Sequence, residues 1–413
     1  MFFKGSFQGD DDLNGGSIYS RQFISLLLAN LFFWLSVNVF LPVLPLYYHH
    51  LGMDDNEVGL AVGAYSVGAI ACRVFAGKAT DRYGSTPVIS IGIIISTIGI
   101  AAYYVSGSFI TATLSRLVHG AGITGFAAAS MTMASLMYEK EYATEVLSVL
   151  TLSTMIGVGI AASSAYGLYE YGGIGAVILV GAVATLLSLL LFPKKPHLKI
   201  KAVKSQSLPL KKVITHPGVY VPTFSLAAVN LCFGSVMTFF PLLMLSQGMN
   251  QFSLFYIAYS IAVIFSRMWV GKLCCWLTPE RLAMYIMILF GGTMVLTGQI
   301  SGRWIGVLCG AGVGIGYGLA YPTLATIITT CTQPANRGTA FGFFAMAVDS
   351  GLAVGAIGMG FVAGTWGYPA VFTAAGMYTL VYTILYRFWL KPKMDGCLAA
   401  HPTGKAITDG LSG

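Results

Sequence analysis

YSVGAIACRVFAGK, Tyr65 to Lys78, recurs as YSIAVIFSRMWVGK, Tyr259 to Lys272, with Tyr, Ser, Arg, Gly and Lys in register at an offset of 194 residues. Apolar segments resemble one another by composition alone, but polar residues matched in register mark a duplication. Pro45 and Gly52-Met53 pair with Pro241 and Gly248-Met249 at a nearby offset, and Gly120-x-Gly122 finds its counterpart in Gly312-x-Gly314. A repeat this long implies that one architecture is built twice.

Composition says what that architecture lives in. The 413 residues are 56% apolar and only 9% charged. A soluble domain carries about 25% charged residues, so this chain lacks a water-facing surface, and a bilayer is the solvent that suits it. A bilayer-crossing helix takes about 20 apolar residues. Twelve stretches qualify: 23–48, 57–77, 87–106, 109–137, 144–167, 173–192, 219–246, 254–273, 283–301, 304–330, 338–364 and 368–390. Links as short as Gly107-Ser108 and Gly302-Arg303 force antiparallel neighbours. The one long link divides six spans from six. The predicted fold is an all-α membrane protein, with twelve transmembrane helices in two pseudo-symmetric six-helix bundles. Bundles repeated in the same orientation predict an axis along the membrane normal and a cavity between them. The expected organisation is a disordered cytoplasmic tail (1–20), an N-terminal bundle (21–192), a cytoplasmic linker (193–217), a C-terminal bundle (218–391) and a cytoplasmic tail (392–413).

Basic residues set the direction. With the N-terminus in the cytoplasm, all but four of the 23 Lys and Arg fall on the cytoplasmic side. Arg303 falls opposite, and Arg73, Arg116 and Arg267 lie within or at the ends of spans. Both termini are therefore expected in the cytoplasm. The net charge of +8 is this topology signal, and no nucleic-acid partner is needed to explain it. The residues through Ser20 lack the basic, apolar and small-residue order of a cleavable signal. The seven Cys include no C-x-x-C pair, and most lie in apolar runs as small hydrophobes. No metal is expected. Gly310 to Gly318 is glycine-rich but sits in an apolar span without the Lys of a phosphate loop. With no nucleophile constellation either, neither an enzyme nor a cofactor is expected.

The most polar run of the first half, GKATDRYGSTP from Gly77 to Pro87, joins the second and third spans. It resembles the G-x-L-A-D-R-x-G-R-K loop of the major facilitator superfamily. Gly77, Asp81, Arg82 and Gly84 are in place, and Ser85-Thr86 replaces the basic pair. The second half keeps a worn copy, with Cys275 where Asp81 would stand. Pro42 and Pro45 in FLPVLPLYY resemble the P-x-x-P of drug-exporter branches. Arg116 in RLVHGAG resembles the R-x-x-x-G pattern of proton-coupled antiporters. Asn336-Arg337-Gly338 with Gly342 resembles the start of the eleventh helix. The resemblance runs from about Arg21 to Lys393. It implies a monomeric secondary transporter in a bilayer, moving a small-molecule substrate and protons by alternating access.

It also implies a role for the polar run. Gly77 and Gly84 would turn the backbone. Asp81 would meet the positive N-terminus of the eleventh helix near Arg337, and Arg82 would pair with Glu139 or Glu141. These contacts make a conformational latch. The plainer reading is a solvated loop whose charges set topology.

Few charges lie deep. Asp349, in AMAVDSGLAVG, sits near the middle of the eleventh span. A carboxylate at that depth is expensive and is expected to face a cavity, a cation or a proton; the alternative is neutralisation by a structural partner. Arg116, about two turns into the fourth span, stays charged, and would balance an anionic substrate group or tune a carboxylate. His119 is on the same face, as a relay member or as a satisfied polar group. Arg73 and Arg267 occupy equivalent helix ends and are expected to snorkel or to close the cytoplasmic side, away from substrate.

Asn30, Trp34 and Asn38 share one face of the first span. Asn230 and Phe233 on the seventh and Tyr317 and Tyr321 on the tenth add aromatic and polar groups. Such a lining suits an amphipathic organic molecule, although each aromatic alone reads equally as packing. The fifth span, GVGIAASSAYG at Gly157 to Gly167, lacks the proline of the antiporter signature G-x-x-x-G-P-x-x-G-G, while its small residues still permit close helix approach. The resulting expectation is export of a drug, secreted metabolite or metallophore in exchange for protons across a bacterial plasma membrane. The alternatives are a facilitator or importer of a nutrient, and a non-transporting sensor, against which the retained loop motif argues.

Overall fold

The computed structural model describes residues 20–138, 143–193, 209–249, 253–300, 302–333 and 336–394. The chain divides into two compact units, Met1–Ala202 and Val203–Gly413. Both are helical, and no strand occurs among the described residues.

The first unit contains α1 (Arg21–Asn38), α2 (Leu44–His50), α3 (Asp55–Tyr83), α4 (Ser85–Ala102), α5 (Phe109–Leu136) and α6 (Ala143–Leu191). Their ends follow from local chemistry. The Ser20 hydroxyl accepts from the Phe23 N–H and starts α1. Pro42 lies in the turns that separate α1 from α2, where it removes a helical N–H. A capping box starts α3: the Glu57 N–H donates to Asp54 at 2.8 Å and the Asp54 N–H donates to Glu57 at 3.2 Å. A second box, Ser108 with Thr111, starts α5. Each box satisfies amides that the first helical turn leaves unpaired. α6 has 49 residues, about 74 Å at 1.5 Å per residue, too long for one crossing. Its backbone leaves the helix at Gly173, φ 63°, a value that glycine adopts without a Cβ clash. The break separates the two spans predicted there.

The second unit contains α7 (Leu210–Ile214), α8 (Pro217–Ser246), α9 (Ser253–Trp276), α10 (Pro279–Thr297), α11 (Arg303–Cys331), α12 (Arg337–Ala353), α13 (Met359–Trp366) and α14 (Tyr368–Leu385). A π-helical turn, Val354–Gly358, joins α12 to α13, so the eleventh span is one continuous helix with an extra residue in its middle turn.

Among the described residues, nine helical stretches are long and apolar enough to cross a membrane, and Gly173 splits one of them. α5, which carries the buried Arg116 and His119, and α1, which opens on the exposed Arg21 and Gln22 and carries the buried Asn30 and Asn38, fall short because polar residues lower their apolar content. With these the tally is twelve. Outer faces fit lipid. Ile91, Ile94 and Ile98 on α4, and Leu179, Val183, Leu186 and Leu190 on α6, form exposed apolar stripes at helical spacing.

The duplication is visible in packing, and it corrects one match. α3 lies on α5 so closely that a Cβ at Gly120 would strike the Tyr65 carbonyl; a Cβ at Gly314 would strike the Tyr259 carbonyl in the same way. Gly122 abuts Ser96 on α4, and Gly316 abuts Phe290 on α10. All four pairings keep the offset of 194. The partners of Gly120 and Gly122 are therefore Gly314 and Gly316, two residues beyond the Gly312-x-Gly314 expected from the string alone. A glycine pair recurs at i, i+2 through this span, and only the contact tells the copies apart.

The loop reading needs a second correction. α3 continues through Gly77 to Tyr83, and Gly84 alone takes a positive φ, 84°. Its N–H donates to the Thr80 carbonyl at 2.9 Å. Gly77 is helical with open space where a side chain would stand, so it is no turn residue. Residues 78–83 contain neither Gly nor Pro, and nothing stops the helix before Gly84.

Candidate functional site

In the first unit the deep charge is Arg116, 1% exposed. Its Nε and Nη2 donate to the Val62 carbonyl on α3 at 3.3 and 3.0 Å, and its Nη1 donates to the Tyr103 hydroxyl at 3.2 Å. The guanidinium lies 4.4 Å from the centre of the Tyr65 ring, a cation–π contact in a desolvated setting. Tyr103 opens the short turn that ends α4, and its oxygen is 2.7 Å from His119 Nδ1. Having accepted from Arg116, the hydroxyl satisfies all three groups by donating to Nδ1, which places the imidazole proton on Nε2. That Nε2 has no hydrogen-bond partner. Phe40, Tyr65 and Tyr103 present their rings to the imidazole at 5.4–5.9 Å. The structure therefore joins Arg116 and His119 through Tyr103, a residue that spacing did not single out because it comes from a neighbouring helix.

In the second unit Phe233 stacks on Tyr317 at 4.1 Å and on Tyr259 at 5.8 Å. Tyr317 lies within electrostatic reach of both Arg267 and Asp349, and Arg267 also acts on Tyr259 and Tyr321. Asp349 is 7% exposed and sits one turn before the π turn of its helix. Asn230, 1% exposed, donates from Nδ2 to the Leu226 carbonyl at 2.9 Å, and its Oδ1 has no hydrogen-bond partner. Tyr321 packs 5.1 Å from Phe344. Three helices, α8, α11 and α12, thus bring together Asn230, Phe233, Tyr317, Tyr321 and Asp349, and α9 adds Tyr259.

Arg267 joins them against expectation. Instead of extending into water at a helix end, it is half-buried, keeps its Nε buried, and lies within electrostatic reach of Tyr259, Tyr317 and Tyr321. The cause is the glycine-lined contact of α9 with α11: Gly310, Gly314 and Gly318 leave no room for side chains on that seam. The α9 face that carries Arg267 is thereby drawn against the α11 tyrosines.

The α1 residues are otherwise engaged. Asn30 Nδ2 is within hydrogen-bond distance of the Leu150 carbonyl, Ser153 Oγ and Thr154 Oγ1, at 3.1, 2.7 and 2.8 Å, and so ties α1 to α6. Asn38 donates to the Trp34 carbonyl at 2.8 Å. Trp34 packs edge-on to Phe33, which stacks on Phe126 at 3.8 Å. Of the loop residues, Arg82 is exposed with its guanidinium 5.2 Å from the Tyr83 ring. Arg337 donates to the Thr329 carbonyl at 3.0 Å, pinning the start of α12 to α11. Glu139, Glu141 and the Asp81 side chain lie outside the described residues. Among the described residues no group of His, Cys, Asp and Glu could hold a metal ion.

Comparison with known proteins extends over the same helices. The profile of the family described as Major Facilitator Superfamily matches residues 26–328 and 278–407. The staphylopine export protein of Staphylococcus aureus is 24% identical over 392 residues, covering 90% of this chain and 96% of that protein. An uncharacterized MFS-type transporter, YhhS of Salmonella typhimurium, is 25% identical over 398 residues, with 92% and 95% covered. Among solved structures, a bacterial homolog of the human lysosomal transporter Spinster, inward-facing and unoccupied, aligns with a TM-score of 0.71 at 14% identity, covering 92% of this chain and 98% of that one. The nucleoside transporter NupG aligns with a TM-score of 0.72 at 15% identity, with 89% and 99% covered.

Proposed function

Because the chain belongs to the major facilitator superfamily, whose members are membrane transporters and not enzymes, we propose that it exports a small amphipathic organic molecule in exchange for protons. The observation that carries this reading is Asp349, a carboxylate 7% exposed within the eleventh span and beside Tyr317. An ionisable group held at that depth is a functional position by default. A proton and a cationic group can occupy it only in turn, which is the exchange an antiporter needs. The similarity to a staphylopine export protein over 90% of the chain supports the outward direction and the class of secreted metabolite or metallophore. Bacterial relatives support a plasma-membrane location, with both termini in the cytoplasm and the monomer as the working unit.

Arg116 and His119, joined through Tyr103, hold a fixed positive charge within the first unit. The polar segment from Asp81, in the last turn of α3, to Gly84 gates the cycle, as the family resemblance implies. Asn230, Phe233, Tyr317 and Tyr321 line the substrate path.

The test uses inside-out membrane vesicles with an acidified lumen and a panel of amphipathic cations, zwitterions and metal chelators. Lumenal pH is followed for wild type and Asp349→Asn. Substrate-triggered proton efflux that disappears in the variant is the expected result. Movement of a labelled substrate without proton efflux in the wild type would favour the facilitator and leave Asp349 a structural group.

A further inference from the structure

Arg267 is the group in the second unit that this mechanism does not use. Its Nε, the Tyr259 hydroxyl and the Asn230 Oδ1 are all buried without a hydrogen-bond partner. A buried polar atom left unpaired costs about 1–3 kcal/mol, and three around one aromatic cluster are more than packing requires. Tyr259 and Asn230 are each 1% exposed. Phe233, one turn beyond Asn230, bridges them to Tyr317 by stacking on both tyrosines. Two donors therefore serve one region: the Tyr259 phenol, whose ring is part of the stack, and the Arg267 guanidinium, two helical turns along α9 and within electrostatic reach of that phenol. A planar, always-charged fork with a neighbouring hydroxyl is carboxylate-binding chemistry.

Resting on the antiport reading, we propose that Arg267 and Tyr259 bind the carboxylate of a zwitterionic substrate, whose ammonium group faces Asp349 and whose flat apolar part stacks on Phe233 and Tyr317. The sign of the coupling favours a zwitterion over a simple anion. An ammonium beside Asp349 favours the ionised carboxylate, so binding releases a proton to the side from which substrate entered. A bare anion on Arg267 would favour the protonated carboxylate and would travel with the proton. The carboxylate of a zwitterion answers Arg267, its ammonium answers Asp349, and exchange is preserved.

Three probes share one indole ring and differ in charge: tryptophan, tryptamine and indole-3-propionate. Binding to the purified full-length protein is measured for each. Tryptophan is expected to bind tightest. Arg267→Gln should weaken tryptophan about tenfold to a hundredfold, the worth of one charge-assisted hydrogen-bonded contact, and leave tryptamine within about twofold. Asp349→Asn should weaken tryptophan and tryptamine and spare indole-3-propionate. Tyr259→Phe removes a hydroxyl that no protein group uses, so the thermal midpoint of the ligand-free protein should hold or rise while tryptophan binding weakens; a merely structural tyrosine would not separate the two readouts. Equal affinity for tryptophan and tryptamine, an equal loss of both in Arg267→Gln, or no binding of any probe would overturn the proposal. Cation-driven proton efflux with no dependence on the carboxylate would overturn it and leave antiport standing. The Arg267-dependent preference for tryptophan without any proton efflux would uphold the site and remove antiport.

Discussion

At the scale of single residues, two buried polar side chains differ in what depends on them. Tyr103 is shared between Arg116 and His119, whose Nε2 already lacks a hydrogen-bond partner. Tyr103→Phe strips a partner from both. Leaving buried groups unpaired costs about 1–3 kcal/mol, so a lower thermal midpoint in detergent is expected, with reduced transport. Asn30 is the contrasting case. Ser153 and Thr154 also donate to the Leu150 carbonyl, so Asn30→Ala leaves them partnered. Interhelical hydrogen bonds in membranes average about 0.6 kcal/mol, and Asn30→Ala is expected to shift the midpoint less than Tyr103→Phe in the same assay. A larger loss at Asn30 would mean that α1 depends on this clamp more than its bonding shows.

At the scale of elements, glycines divide by what faces them. Gly120 and Gly314 occupy equivalent seams, α3 on α5 and α9 on α11, where a methyl group meets backbone that cannot move aside alone. Alanine at either position should push its helix pair apart, at about 1–3 kcal/mol, with lower yield of folded protein by size-exclusion chromatography. Gly77 sits mid-helix with nothing facing it. Gly77→Ala should hold stability or raise it by about 0.5–1 kcal/mol, and a fall would mean that α3 bends there. Gly84 carries the turn at φ 84°; alanine there strains the α3–α4 junction and should lower the same yield.

At the scale of the whole molecule, the lopsided basic residues make a directional prediction. Reporter fusions at both termini should read as cytoplasmic, and a cysteine placed at Gly302 should react with an impermeant thiol reagent added outside intact cells. The reverse pattern would invert the antiport argument as well, because the proton gradient has a side. Asp81→Asn should leave membrane insertion intact and slow transport, measured as initial rate per inserted protein. A normal rate would return the polar turn to the plainer role of a solvated, topology-setting loop.

Most of the fold was legible in the string because its causes are local. Low charge and long apolar runs choose lipid as solvent, glycine and proline mark breaks, and matched polar residues expose the duplication. Asp349 and Arg116 were legible as deep charges, and His119 as a deep polar group, for the same reason. Partners were not, since helical spacing gives a face and not the neighbour it meets. Only packing decided that Tyr103 joins Arg116 to His119, that Asn30 spends its donors on α6, and that the repeat keeps one offset through Gly314 and Gly316. Arg267 is the sharpest case. Its sequence position reads as a helix end near water, and the glycine seam between α9 and α11 draws it toward tyrosines, where its buried Nε is left without a hydrogen-bond partner.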